Sequence, residues 1–545
     1  MEITLKLNKD FERFLDELRV KYGEDFEYIN GVHPSQLDYS EFLSNFTKND
    51  TLADTSVDPN SNASHKDVRS FMTEKSKASD KLFGLNKIFL EIKQKYGLKT
   101  AKQWFEQEYS RGFYLNDSTS ASYMPYCWAN DLTKLAKEGL FFLENYNNKP
   151  PKHLTTYFDD VIEFVSFLSN RQSGAVGLPN VIIWAYYFWK KDVENGYFLK
   201  DPDTYLRQNF QKFIYRLNQP FLRIDQTAFT NVSVFDRNYL ESLFGGLEFP
   251  DGSFAIDEIE QLIECQKVFC EVVADIRSDS MFTFPVLTAS LLYKDGEFVD
   301  QEFAHWMSDH NMKWMDFNFF CSDNVGVLSN CCRLLSDTTK LEGFVNSIGG
   351  TALSIGSCRV STINLARIAY EAFEYNKPNE VKLDRAKARY LKILRERTEL
   401  DCKALDCMRG ILKKNIERGL LPNYQDGAVE LDKQFCTIGI LGLYEVMDIF
   451  GLINTDEFGY KSYSDEALEF GTEILSLINE VKDNFNKYFE LNINNIKYKI
   501  PALAEIVCTD TEDDNKKITM YFYKLYENKS RYDFNIKDIA KFIIR

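Results

Sequence analysis

Ser329-Asn330-Cys331-Cys332-Arg333-Leu334 sets two adjacent thiols beside an arginine, and further along comes Gly349-Gly350-Thr351-Ala352-Leu353-Ser354-Ile355-Gly356-Ser357. The second piece is rich in Gly and Ser and reads as a turn. It leads into Val360-Ser361-Thr362-Ile363-Asn364-Leu365, an apolar run short enough for a buried strand, and then into an amphipathic helix starting near Ala366. Small residues let a backbone approach a ligand closely, and a helix N-terminus offers free N–H groups and its dipole to a phosphate. Two adjacent cysteines on their own serve equally well as small apolar filler, so the meaning of the stretch depends on its surroundings.

Outward from it, residues 155–490 alternate between short apolar runs, such as Phe282–Leu287 and Val360–Leu365, and long amphipathic stretches, such as Glu380–Lys413 and Ala467–Tyr488. Strands interleaved with helices favour parallel pairing with both sheet faces covered, which is α/β architecture. Residues 51–80 are rich in Ser, Asn, Asp and Thr and read as a loop-rich connection. Helical spacing returns with Leu82, Leu85, Ile88, Phe89 and Ile92. No repeat of 20–50 residues and no Pro- or Gly-rich linker divides the chain, so a single large catalytic domain is expected.

Of the 545 residues, 44% are hydrophobic and 27% charged, which excludes wholesale disorder. A net charge of −17 argues against a nucleic-acid groove or an anionic membrane as the main partner, although local amides and arginines can still hold phosphate. No stretch reaches the roughly 18 apolar residues of a membrane span; the best, Val181 to Trp189, is far shorter. Met1-Glu2-Ile3-Thr4 has no secretory order, so a cytoplasmic protein is expected, with its 11 cysteines reduced. No metal site is expected: His305 and His310, Cys265 and Cys270, and Cys402 and Cys407 are each five apart, without Cys-x-x-Cys pairs or an i, i+4 histidine pair. Asp159-Asp160 reads as a solvated helix start.

The opening stretch does find support elsewhere. Cys331-Cys332-Arg333-Leu334 and Gly356-Ser357 to Ile363-Asn364-Leu365-Ala366-Arg367-Ile368 resemble the core of the anaerobic, class III glycyl-radical ribonucleotide reductases. Further segments agree in the same order: Leu52-Ala53-Asp54 to Asn60-Ser61-Asn62-Ala63, Asn116-Asp117 to Tyr126-Cys127-Trp128-Ala129-Asn130-Asp131-Leu132, Gln226 to Asn231, Phe282-Thr283-Phe284-Pro285, and Phe435-Cys436-Thr437-Ile438-Gly439 to Gly442-Leu443. Collinearity over residues 50–450 is far more specific than any one motif.

The resemblance implies a ten-stranded α/β barrel of two antiparallel halves, each of five parallel strands, with a finger loop entering the centre. It implies that Cys332, at the tip of that loop, carries a transient thiyl radical that removes the ribose 3′-hydrogen, with Cys331 the second choice because the family varies before the Cys-Arg dipeptide. Cys127 matches the cysteine on an early barrel strand that donates hydrogen to the substrate radical. Such a donor is best neutral, which burial favours. Gly356 and Ser357 are expected to face the substrate, with Asn364 nearby. Some family members carry asparagine at the Ser357 position and use formate; serine leaves formate and a thioredoxin-like reductant both open, and Cys358 is an extra thiol for such exchange or plain filler. The implied partners are ribonucleoside triphosphates, deoxynucleotide effectors, a second copy of the chain, and an iron-sulfur activating enzyme that uses S-adenosylmethionine to make the glycyl radical.

Two family parts have no match. No ATP-cone pattern is visible at the N-terminus, and after Pro501-Ala502 neither the four-cysteine zinc site nor an Arg-Val-x-Gly-Tyr radical loop appears before Arg545. The expected organisation is an N-terminal helical and loop extension at 1–80, the catalytic barrel at 81–507, and an atypical tail at 508–545, the start of a split intein at Cys508 or a read-through segment. A complementing polypeptide would then bring the zinc and radical-glycine module. Two other readings remain open: an inactive nucleotide-binding or dimerising homologue, and a glycyl-radical enzyme of formate-lyase type.

Overall fold

The computed structural model describes residues 6–23, 38–48, 68–143, 148–219, 222–224, 227–279, 282, 284–329, 335–337, 354–373, 383–486, 488–493, 496–501, 504–509, 517–523 and 529–535. Two compact units divide the chain: residues 1–110, 115–361 and 405–437 form the first, and 111–114, 362–404 and 438–545 the second.

Among the described residues nine strands form one mixed sheet, which makes the protein α/β. They are β1 (Phe113–Leu115), β2 (Cys127–Ala129), β3 (Val176–Leu178), β4 (Thr230–Phe235), β5 (Val286–Lys294), β6 (Glu297–Phe298), β7 (Phe317–Ser322), β10 (Gly356–Asn364) and β11 (Gln434–Leu441); β8 (Val327–Ser329) and β9 (Leu335–Asp337) pair separately. Strands β2, β3, β4, β5 and β7 are parallel in that order. Strand β10 returns antiparallel against β2, with Gly356 opposite Trp128 and Ser357 opposite Cys127, and β11 pairs with β10.

The parallel set follows from its residues. Every residue of β3 and β4 and the first seven of β5 are buried, as expected of strands covered on both faces. Parallel neighbours need crossover connections, and helices provide them: Val181–Glu194 and Pro202–Leu217 between β3 and β4, Arg237–Phe244 and Ile259–Asp279 between β4 and β5. Aspartates start several helices by accepting backbone N–H groups, Asp201 from Thr204, Asp236 from Tyr239 and Asp300 from Phe303. The apolar run from Val181 to Phe188 is buried on all sides.

In the first unit, Lys9–Tyr22 sits on the hairpin of helices Val68–Tyr96 and Leu98–Tyr109 through Phe11, whose ring lies 5.2 Å from Phe89 and 4.8 Å from Phe105. Residues 68–80 are therefore helical, not loop. They contain neither Gly nor Pro, and Phe71 meets the rings of Tyr39, Phe42 and Phe46, so tertiary contact overrides weak propensity. The strand expected at Phe282–Leu287 begins at Val286, after Pro285, which cannot donate to a ladder.

The second unit gathers Phe373, Tyr390, Phe450 and Phe470 into one aromatic cluster, with Phe373 and Phe450 centroids 4.9 Å apart. Its chain continues through helix Asp465–Asn486 into the antiparallel pair Tyr488–Ile493 with Ile496–Pro501, then the three antiparallel strands Ala504–Thr509, Lys517–Tyr523 and Lys529–Asn535.

Candidate active site

The candidate site is the seam where β10 runs against β2. Cys127 and Ser357 are register partners there, and each is almost wholly buried, at 1% and 0% exposure. Directly opposed residues in an antiparallel pair share a face, so the thiol and the hydroxyl are presented together. The Ser357 hydroxyl donates to the Arg359 carbonyl at 3.0 Å and lies 3.0 Å from Thr437 Oγ1 on β11. Cys127 packs with Ala175, Tyr126 and Phe229.

Gly356 is the first residue of β10, not part of a turn. A Cβ there would stand 2.2 Å from the Cys127 carbonyl oxygen and 2.7 Å from the Trp128 ring, which is why glycine occupies the point of closest approach. Residues 349–353 of the stretch read as a turn lie outside the described residues; at Gly356 the missing side chain is what lets β10 lie against β2.

Charge surrounds the end of the seam. Arg359 is fully buried; its guanidinium donates to the Asn116 carbonyl at 3.1 Å and to the Met124 carbonyl. Arg223 donates to the Ser173 carbonyl at 2.8 Å. Burial raises the Asp117 carboxyl above its ordinary value against the opposing pull of Arg223 and Arg359, and burial likewise lowers both guanidiniums.

Asn364 lies seven residues beyond Ser357, roughly 23 Å along an extended strand at about 3.3 Å per residue. Its side-chain oxygen accepts from the Arg367 N–H at 3.1 Å, which caps helix Leu365–Ala372, and its amide nitrogen donates to the Arg111 carbonyl at 3.2 Å, so both ends of the amide are engaged. Cys331 and Cys332 lie outside the described residues. The strands on either side of them are described: β8 and β9 pair antiparallel, with Ser329 opposite Leu335, Leu328 opposite Ser336 and Val327 opposite Asp337. Strand β8 lies against β5 and β7.

Sequence reasoning assigned no role to Thr437, Arg359 or Arg409, although Thr437 stood inside a quoted motif. Thr437 is 80 residues from Ser357, and only the pairing of β10 with β11 joins them. Cys358 and Cys436 are brought together as well, with their sulfurs 3.0 Å apart. Asp159 and Asp160 fall in the second turn of helix Leu154–Ser169, not at its start; Asp159 pairs with Arg216 and Lys212. Among the described residues no three His, Cys, Asp or Glu side chains gather as a metal set, and no helix is long and apolar enough to cross a membrane.

Known proteins share this architecture. Residues 76–535 match the family model of the anaerobic ribonucleoside-triphosphate reductases, a match that runs past Cys508. The anaerobic ribonucleotide reductase of Thermotoga maritima with dATP bound in the specificity site is 38% identical, covering 88% of this chain and 75% of that one at a TM-score of 0.74. The same reductase in complex with dATP and CTP is 37% identical over 88% and 74% of the two chains, also at 0.74. Its form with citrate in the active site is 37% identical over 88% and 81%, again at 0.74. No curated protein matches the chain. A family match over most of the sequence, and a solved fold shared at more than a third identity, lead to one conclusion: the chain belongs to the anaerobic ribonucleoside-triphosphate reductase family of oxidoreductases.

Proposed function

We propose that this chain reduces ribonucleoside triphosphates to deoxyribonucleotides at the seam of β2 and β10, with Cys332 as the radical thiol and Cys127 as the hydrogen donor. The observation that supports it most is the register pairing of Ser357 with Cys127, both shielded from water. Radical intermediates survive only where water and stray donors are kept out. The antiparallel return of β10 after five parallel strands also fits two facing half-barrels, and the β8–β9 ladder around residues 330–334 fits a finger loop.

A glycyl radical, made by an iron-sulfur activating enzyme with S-adenosylmethionine, would supply the one-electron oxidation of Cys332. The remaining steps belong to this chain. Cys332 takes the 3′-hydrogen atom of the ribose, and the 2′-hydroxyl leaves as water after protonation. Cys127 gives a hydrogen atom to C2′, which leaves a thiyl radical on Cys127 and a ketone at C3′. The outside reductant quenches that thiyl and passes one electron and a proton to the ketone, and Cys332 then returns the 3′-hydrogen, which restores its radical. Ser357 and Thr437, joined by a hydrogen bond, form the polar edge that meets the ribose, and Gly356 keeps that edge close to Cys127. Two electrons must come from outside for each turnover, either from formate leaving as carbon dioxide or from a thioredoxin-like dithiol. Nucleotide effectors such as the dATP of the Thermotoga maritima structure would set which base is reduced, and a dimer is the expected assembly.

The test is anaerobic turnover of CTP with activating enzyme, S-adenosylmethionine and the radical glycine, provided on a companion polypeptide or a longer form of this chain. Cys332→Ser should abolish deoxycytidine nucleotide while leaving nucleotide-induced thermal stabilisation in place. Product formed at the normal rate by that variant would refute the assignment.

A further inference from the structure

We infer that Cys358 and Cys436 form a redox-active dithiol outside the reacting face, which a peroxide closes to a disulfide and an external dithiol reopens. Side chains alternate along a strand. Ser357 and Thr437 meet on one face of β10 and β11 at 3.0 Å, and Cys358 and Cys436 meet on the other face at the same separation. An S–S bond is about 2.05 Å long, so closure needs the sulfurs to approach by roughly 1 Å.

The pair is walled by Leu412, Leu421, Tyr424 and Met124, the neighbours of a sulfur facing the helix layer, not the β2 seam. Arg409 of helix Leu383–Glu417 reaches it. That guanidinium lies 3.8 Å from Cys358 Sγ and is fixed by the carbonyls of Gln434, at 2.6 Å, and Leu431, at 2.8 Å. Arg359 and Tyr424 are the further titratable groups acting on Cys358, and Asp406 acts on Cys436, whose thiol also points at the Leu405 carbonyl at 3.6 Å.

These neighbours make the two sulfurs unequal. The hydrogen bond from Cys436 and the charge of Arg409 hold the Cys358 thiol below its ordinary value in spite of burial, whereas the hydrogen bond to Cys358 and burial push Cys436 up. Cys358 is thus the more acidic thiol and Cys436 the proton-bearing partner, the arrangement of a reacting thiol beside a resolving one. Cys358 is only 2% exposed, which selects a small oxidant.

With hydrogen peroxide, the Cys358 thiolate attacks one oxygen. An S–O bond forms, the O–O bond breaks, and the hydroxide released takes up a proton to leave as water. Cys436 then attacks the sulfenic sulfur: the S–S bond forms, the S–O bond breaks, and the departing hydroxide carries the Cys436 proton as a second water. Two thiols and one peroxide give one disulfide and two waters. Reopening is directed by the same asymmetry. Cys436 is the less buried residue of the two, so an incoming thiolate attacks its sulfur, and Cys358, the more acidic thiol, is the better leaving group.

The test is a non-reducing peptide map of the full chain, prepared reduced and without oxygen, before and after hydrogen peroxide. One linked pair of peptides should appear, containing Cys358 and Cys436, with a mass about 2 Da below the sum of the reduced peptides. It should disappear on treatment with a thioredoxin-class dithiol. In Cys436→Ser the same treatment should leave Cys358 as a sulfenic acid, trapped by a dimedone probe, and Arg409→Met should slow closure at pH 7 by about fivefold for a one-unit rise of the thiol. A reduced Cys358 after treatment, or a bond from Cys358 to Cys127, would overturn the inference. The wild-type map decides this even where a variant fails to fold, and it requires no turnover, so its result stands apart from the proposed reductase activity.

Discussion

Two sulfurs one register step apart on the same seam live in different surroundings. Cys127 faces Ser357 and packs against Ala175, Tyr126 and Phe229. Cys358 follows Ser357 directly in the chain, yet it turns to the helix layer, where a second thiol and Arg409 meet it. Hydrogen-atom donation and nucleophilic thiol chemistry ask for opposite environments, and strand alternation lets one pair of strands offer both.

The strongest way to break that comparison is Cys127→Ser. It should cut deoxynucleotide formation on the order of a thousandfold, while the Cys358–Cys436 disulfide still forms under peroxide. Loss of both would mean that the two faces are not independent.

Next comes Gly356→Ala, which touches both faces because it separates the strands that carry them. With a Cβ 2.2 Å from the Cys127 carbonyl, the cost should be about 3 kcal/mol in urea unfolding. A variant as stable as the parent would show that β10 does not lie so close to β2.

Arg409→Met should act on one face alone. Alkylation of Cys358 at pH 7 should slow by about fivefold for a rise of one unit from its value of about 7, with nucleotide binding unchanged by calorimetry. An unchanged alkylation rate would remove Arg409 from the account.

The smallest effect serves as a control far from either sulfur. Burial, with Asp159 and Glu163 adding to it, raises the half-buried Asp160 carboxyl to about 6. A folded value above the unfolded one means that the carboxyl favours the fold at low pH and that this contribution is lost as pH rises through about 6. Asp160→Asn should therefore stabilise by about 1 kcal/mol above pH 7, after discount for solvent screening, and by nearly nothing below pH 4. Thermal melts at the two pH values would measure it; equal gains at both would refute the assignment.

Much of this architecture could be read from the chain because local signals and fold agree. The stretch expected at Glu380–Lys413 is helix Leu383–Glu417, and that at Ala467–Tyr488 is Asp465–Asn486, since long apolar periodicity survives any tertiary context. The family resemblance, not a local signal, placed Cys127 on an early strand, and β2 begins with it. Reading failed where a residue serves a distant neighbour. Gly356 resembled a turn because its reason for being small is the β2 backbone, more than two hundred residues earlier. Cys358 and Cys436 showed no relation because 78 residues separate them, and only strand pairing counts them as adjacent. Asn364 drew attention through its motif, while its amide is engaged at a helix start.

The alternation of β10 also bears on how such a chain could change over generations. Sliding this strand by a single position, through loss or gain of one codon in the segment before Gly356, would turn Ser357 outward and Cys358 inward. A hydroxyl opposite Cys127 would give way to a thiol, and the outer pair would lose a member. One small lesion of the gene could therefore trade the outer sulfur pair for a pair of thiols at the β2 seam, without substituting any residue of either strand.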